Sequence, residues 1–302
     1  MNNNYHTSVL LQACIDHLIT KPDGIYVDLT FGGGGHSALI LKNLNQNGKL
    51  FAFDQDVDAQ KNIINDSRFT LIPQNFRYIK NYLRVYGINK VDGILGDLGV
   101  SSHQFDEASR GFSIRFEGEL DMRMNQQNPL SAKTIINAYE QQQLFKIFKE
   151  YGEVHNAYKL ANDIIAFRSN KSIDTTGDLK TAIAGCTPKF EAHKYLAKVF
   201  QALRIEVNQE IDALKECLNQ CTELLNPGGR LVMISYHSLE DRLVKNIIKT
   251  GNTDGVEEKD IIYGTSTKIY KNITGKPIVP DEEEIKNNTR ARSAKLRVAE
   301  KL

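Results

Sequence analysis

Three aspartates and a run of glycines carry the chemistry that this sequence offers first. Asp28 closes the apolar run that starts at Ile25, Asp54 closes Leu50-Phe51-Ala52-Phe53, and Asp97 follows Ile94-Leu95-Gly96. Between the first two acids stands Phe31-Gly32-Gly33-Gly34-Gly35-His36-Ser37-Ala38. There Gly33, Gly35 and Ala38 fit the GxGxxG/A nucleotide-binding pattern. Glycine permits a tight turn and close approach of backbone to ligand, and the helix that follows offers unpaired N–H groups at its start. Asp54 comes 19 positions after Gly35, where a carboxylate accepts two hydrogen bonds from ribose hydroxyls.

The acids also bear on which nucleotide is held. A dinucleotide presses a diphosphate against such a turn. Asp28 beside the turn repels that anion and favours the cationic aminoacyl end of S-adenosylmethionine, unless it serves only to cap the turn. Phe76 follows Gln74-Asn75 and either covers an adenine face or packs into the core. His36 lines the pocket or donates to backbone; it is not read as a base.

These residues need a parallel sheet to bring them together. Strand 25–29, the glycine turn, a helix over about 37–44 and strand 49–54 form a βαβ unit. The alternation continues with strand 69–72, a helix over 76–86 and strand 91–95 ending at Asp97. A helix over 8–20, with Ser8 as its cap, precedes the first strand. Val207, Ile211, Leu214, Leu218, Cys221 and Leu225 recur at helical spacing, and Pro227-Gly228-Gly229 leads into strand 230–235. Ligands of open α/β sheets sit outside the carboxyl ends of the strands, so Asp28, Asp54 and Asp97 should face one cleft. Between Asp97 and the helix at 207 the chain is far longer than a crossover requires. It reads as helical over 131–150, 156–169, 176–185 and 190–205, with caps at Ser131, Asn156 and Thr175. The expected layout is an α/β sheet domain over 1–104 and 206–302, interrupted by a helical subdomain over 105–205.

Composition narrows the class further. The 302 residues include 38 Lys and Arg against 37 Asp and Glu, which excludes bulk charge binding of the histone kind but not a local nucleic-acid surface. Hydrophobic residues at 41% and charged residues at 25% exclude global disorder. No apolar run reaches membrane-spanning length, and the first residues lack the pattern of a signal peptide. Cys14, Cys186, Cys217 and Cys221 show no zinc spacing, so a reduced cytoplasmic protein without structural metal is expected. Cys217 and Cys221 should face the core of one helix. Residues 251–289 lack clear periodicity and include the acidic run Asp281-Glu282-Glu283-Glu284. Residues 286–297 are basic.

Together these blocks resemble the bacterial 16S rRNA (cytosine-N4)-methyltransferases, the MraW family. The first block is Asp28-Leu-Thr-Phe-Gly-Gly-Gly-Gly-His-Ser37. Asp97-Leu-Gly-Val-Ser-Ser-His-Gln104 follows, then Arg110-Gly-Phe-Ser113 with Leu120-Asp-Met-Arg-Met124. Phe200-Gln-Ala-Leu-Arg-Ile-Glu-Val-Asn208, Pro227 through Arg242 and the tail 288–297 complete the set, and His6 with Val9-Leu10-Leu11 resembles the family's opening. The resemblance implies a class I S-adenosylmethionine-dependent methyltransferase fold, a Rossmann-like doubly wound sheet with an inserted helical domain. It implies S-adenosylmethionine as methyl donor. The implied substrate is the N4 amine of one cytidine in the decoding region of 16S rRNA, within an assembled small subunit. Carried over by position, cofactor contacts fall on Gly34, Gly35, His36, Asp54, Phe76, Asp97 and Gln104. Gly96 departs from the aliphatic or other small residue common there, and should loosen the strand end.

For such a reaction no metal is required, because the sulfonium is already activated. Asp97, with the backbone of Leu98 and Gly99, is expected to accept hydrogen bonds from the amine. Tyr236 is a candidate to stack on the base. His237 either accepts the released proton or anchors the next helix through Ser238 and Glu240. Ser101 and Ser102 bond the base or cap a helix. Arg110, Arg115, Arg123, Arg204 and Arg242 are candidate phosphate contacts, with Arg290, Arg292, Lys295 and Arg297 on the terminal stretch. Two other readings stand beside this one: a nicotinamide-dependent oxidoreductase, and an RNA-binding assembly factor without activity. The chain is read as a monomer or a homodimer.

Overall fold

The computed structural model describes residues 8–257 and 268–302; His6 lies outside them. By its internal contacts the chain forms two compact units, residues 1–99 with 211–302, and residues 100–210. In the first unit α1 (Leu11–Leu18) precedes β1 (Ile25–Asp28), α2 (Gly35–Asn43), β2 (Lys49–Phe53), β3 (Phe69–Ile72), α3 (Ile79–Val85) and β4 (Val91–Asp97). The second unit holds α4 (Ser102–Asp106), α5 (Ala132–Ala138), α6 (Gln141–Glu150), α7 (Ala157–Arg168), α8 (Thr176–Ala182) and α9 (Ala192–Asn208). Then come α10 (Glu210–Leu224), β5 (Leu225–Ser235), α11 (Ser238–Thr250), β6 (Tyr270–Asn272), α12 (Glu282–Asn287) and β7 (Lys295–Lys301).

The sheet runs β3-β2-β1-β4-β5-β7-β6. The first five strands are parallel, and β7 and β6 join antiparallel. Alternation along each strand splits the core in two. Tyr26, Leu50, Leu95, Val232 and Ile234 pack with α1 and α2, while Val27, Phe51, Ile94, Leu231 and Met233 pack with α3, α10 and α11. Burial on both faces explains why these strands read as continuous apolar runs. Cys217 and Cys221 are buried on α10 with their sulfurs 3.8 Å apart. The second unit has its own core, which includes Leu120, Ile135, Phe148, Leu160, Leu179 and Leu203.

Several local expectations are corrected. Ser8 does not cap α1. The cap position is Leu10, in left-handed backbone at φ 51°, without a side-chain bond. The 131–150 helix is two, α5 and α6, separated by extended backbone at Tyr139 and Glu140. Ser131 and Thr175 do cap their helices, whereas Asn156 spends its amide on Cys186 O and on the Tyr195 hydroxyl. Val207 belongs to α9; the helix ends at Gln209, in left-handed backbone at φ 50°, and Leu225 already opens β5. Gly96 does not loosen its strand. It pairs with Met233, and a Cβ there would lie 2.7 Å from Met233 Cε, so that side chain fills the space glycine leaves. No helix among the described residues is long and apolar enough to cross a membrane.

Candidate active site

Parallel register places the carboxyl ends of β1, β2 and β4 side by side, with Asp28 opposite both Ala52 and Leu95. Asp97 pairs with Ile234 on β5, two residues before Tyr236. The first unit therefore gathers Asp28, Asp54, Asp97 and Tyr236 at one edge of its sheet.

Asp28 is 1% exposed and braces the glycine turn. One oxygen accepts from the Thr30 N–H at 3.0 Å and the other from the Ser37 hydroxyl at 2.7 Å. Burial raises its pKa, opposed by the nearby His36 ring and by these bonds. The turn itself needs glycine: Gly34 has φ 78° and its N–H donates to Phe31 O. A Cβ on Gly35 would stand 2.1 Å from the Ser8 hydroxyl. His36 is buried, with Nε2 3.1 Å from Val9 O, so it ties the N-terminal segment to the turn. That segment is held again where the Leu10 N–H donates to Glu284, a member of the acidic run.

Asp54 accepts from the N–H groups of Gly32 and Asp56, both at 2.8 Å. Burial pushes its pKa up to about 6, opposed by those two N–H groups. Each oxygen keeps a lone pair in principle for a further donor. Phe76 opens a single 3₁₀ turn over Phe76–Tyr78 and is half-buried against the core face that holds α3.

Asp97 is fixed through its backbone, whose N–H donates to Thr30 Oγ1 at 2.7 Å, while the Leu98 N–H donates to Ile234 O at 3.0 Å. Its carboxyl oxygen Oδ1 accepts from the Tyr236 hydroxyl at 2.7 Å. Burial pushes the Asp97 pKa up to about 6; Asp28 and Glu240 add to this, and His36 and the Tyr236 bond oppose it. Burial and the adjacent Asp97 charge push the Tyr236 phenol far up, so it stays a donor.

His237 is the cap of α11. Its Nδ1 accepts from the Glu240 N–H, and Glu240 Oε2 accepts from the N–H groups of Tyr236 and His237. Nε2 lies 3.1 Å from Glu240 Oε1, off the line of a hydrogen bond. With the Nδ1 lone pair committed to the cap, the neutral ring carries its proton on Nε2 and has no lone pair left for a substrate proton. Of the two roles open to His237, the geometry favours the anchor. Tyr236 likewise has its hydroxyl committed, which the stacking reading did not foresee.

Gln104 lies in the second unit, where its Oε1 accepts from the Ser101 N–H and its N–H donates to Ser101 Oγ. Ser101 is thus a helix cap. Four of the arginines read as phosphate contacts are engaged internally. Arg110 is 3% exposed and donates to the carbonyls of Arg123 and Met124. Arg123 grips Asp121 with two bonds, and Arg204 grips Glu210 with two. Arg297 does the same to Asp241. Arg115, Arg242 and Arg292 are exposed. Thr30 was not singled out in the sequence, yet it links Asp28 to Asp97. Its signal is the Asp-x-Thr spacing, which lets an aspartate accept from the N–H two residues on.

A model of the MraW methylase family matches residues 3–302. Ribosomal RNA small subunit methyltransferase H of Flavobacterium johnsoniae is 58% identical over 298 residues, covering 99% of this chain and 98% of its own. The protein of the same name from Christiangramia forsetii is 58% identical with the same coverage. That from Bacteroides thetaiotaomicron is 54% identical over 297 residues, covering 98% of this chain and 97% of its own. Matched over nearly its whole length by the family model and by full-length relatives that share more than half its residues, the chain belongs to the MraW methylase family.

Proposed function

We propose that this protein transfers a methyl group from S-adenosylmethionine to the N4 amine of one cytidine in the decoding region of 16S rRNA. The assembled small ribosomal subunit is the proposed substrate and the cytoplasm the place of work. The observation that carries the reading is the family match over residues 3–302. The strand-end carboxylates around the glycine turn agree with it, and nothing favours the nicotinamide alternative.

The donor set suits this cofactor. Backbone at Gly34 and Gly35 approaches the ligand, Asp54 accepts from the ribose hydroxyls, and Phe76 offers a face for the adenine. Asp28 acts through its field on the cationic aminoacyl end, since both its oxygens are engaged by the turn. His36 holds the wall of the pocket, and Gln104 is assigned by family position. S-adenosylmethionine supplies a methyl group on a positively charged sulfur. A cytosine amine is a poor nucleophile, so orientation supplies much of the rate. As the N–C bond forms and the S–C bond breaks, the amine sheds a proton. Asp97, with a pKa near 6, is ionised at neutral pH and matched to accept it. The Leu98 backbone carries a further acceptor beside it.

The test incubates the protein and labelled S-adenosylmethionine with small subunits that lack the modification and, separately, with naked 16S rRNA. Mass spectrometry of the digested RNA is expected to find one N4-methylcytidine, in the subunit arm. A folded protein that binds S-adenosylhomocysteine yet transfers nothing to either substrate would overturn the reading.

A further inference from the structure

Helix α11 is joined to Asp97 by an unbroken set of bonds. Glu240, in the first turn of α11 and 3% exposed, accepts from the Tyr236 N–H at 2.8 Å. The Tyr236 side chain then returns across the end of β5, and its hydroxyl donates to Asp97 Oδ1 at 2.7 Å. Gly99, with φ 96°, passes the Tyr236 ring at ordinary contact distance, 3.8 Å from where its Cβ would be. Among the described residues Tyr236 is the hydrogen-bond donor to the Asp97 carboxyl group, which leaves Oδ2 to receive a substrate proton.

We propose that Tyr236 is a positioning residue: its hydroxyl fixes the rotation of the Asp97 carboxylate so that one oxygen is presented to the amine. Tyr236 does this from its place on the α11 cap and does not stack on the base. The inference rests on Asp97 being the proton acceptor of the proposed reaction. A carboxylate free to rotate about its last bond adopts many orientations; one held by a charge-assisted bond loses that freedom before substrate arrives. The same bond favours the ionised form of Asp97. The other titratable groups around the pair are His36 from α2, Asp28 from β1, Glu240 from α11 and Cys14 from α1. None of them replaces a lost phenol as a donor to Asp97 in the described contacts.

The test is Tyr236→Phe, which keeps the ring and removes only the hydroxyl. Methyl transfer to small subunits is measured from pH 5 to 9, with thermal midpoint and S-adenosylhomocysteine affinity as controls. The expected result is a kcat at least 10-fold lower, with KM for subunits and S-adenosylhomocysteine affinity within about 2-fold of wild type. The acid limb of kcat should move to higher pH by about one unit, because the ionised carboxylate has lost a donor. A wild-type kcat and pH profile would overturn the proposal and return Tyr236 to the stacking role, which a phenylalanine ring can serve. A lowered kcat with an unmoved acid limb and weakened S-adenosylhomocysteine binding would also overturn it, in favour of a role in the fold alone. The wild-type protein in the same assay separates the two readings. If it transfers no methyl group, the function fails; if it does and the variant is unaffected, only the positioning fails.

Discussion

Two carboxyl groups at the sheet edge, Asp54 and Asp97, carry pKa values pushed up to about 6 by burial, and this has opposite consequences for activity and for stability. Activity needs Asp97 ionised, so kcat should rise with pH to a half-maximum near 6. Asp97→Asn should lower it at least ~100-fold, the usual order for a lost proton acceptor. Stability runs the other way. A carboxyl whose folded pKa exceeds its unfolded value near 3.8 holds its proton better when folded. It contributes stability below about pH 4, and that contribution is lost as pH rises through 6. The loss is at most about 3 kcal/mol for a shift of about two units. Asp97→Asn removes this titration and should flatten the fall in unfolding free energy between pH 5 and 7.5, as urea titrations at several pH values would read. An unchanged slope would mean that Asp97 does not titrate there. Asp54 has a second duty that its spacing alone did not disclose. Because Gly32 and Asp56 both donate to it, Asp54→Ala should weaken S-adenosylhomocysteine binding and also cost about 1–3 kcal/mol of stability, the usual range for buried donors left unpaired.

At the scale of elements, the turn between β1 and α2 is where shape is least negotiable. Gly34 at φ 78° has the Phe31 ring 3.1 Å from any added Cβ. Gly34→Ala should therefore cost about 1–2 kcal/mol and weaken S-adenosylhomocysteine binding at least 10-fold by calorimetry; an unimpaired variant would show that the turn has another low-energy shape. The strands that meet this turn were legible because a parallel strand buried on both faces is a continuous apolar run, and β1, β2 and β4 each give way to a carboxylate at or just past their last residue. Helix boundaries were less so. Val207 and Ile211 keep helical spacing across the left-handed residue Gln209, so apolar pattern carries no mark of the break. Arg204 grips Glu210 across that break, six positions on, and a reading that missed the break left the guanidinium to seek a phosphate. The Tyr236 bond to Asp97 joins residues 139 positions apart. Sequence spacing put both at strand ends but had no means of saying that one would occupy the other.

For the whole molecule, near-zero net charge hides a division of the cations between internal ion pairs and open surface. Arg77, Arg123, Arg204, Arg230 and Arg297 are each paired with a carboxylate, and Arg110 is buried on carbonyl oxygens. Exposed positive charge in the first unit includes Lys286 on α12 and Arg292 in the 3₁₀ turn over Thr289–Ser293 that precedes β7. Lys295 is also exposed, but 3.8 Å from Asp241. Each cation that meets a phosphate releases counterions on binding. The slope of log Kd against log salt counts these contacts, at about 0.7–0.9 per phosphate. Replacing both Lys286 and Arg292 by alanine should lower that slope by between about one and two, if each meets a phosphate, and weaken binding evenly across RNA sequences. Arg204→Ala should leave the slope alone and instead destabilise the second unit, because Glu210 loses its partner. The measurement is subunit binding at several KCl concentrations for the three proteins. A slope unchanged in the double variant but reduced in Arg204→Ala would reverse the assignment, with the ion-paired arginine reaching RNA and the exposed terminal cations only solvated.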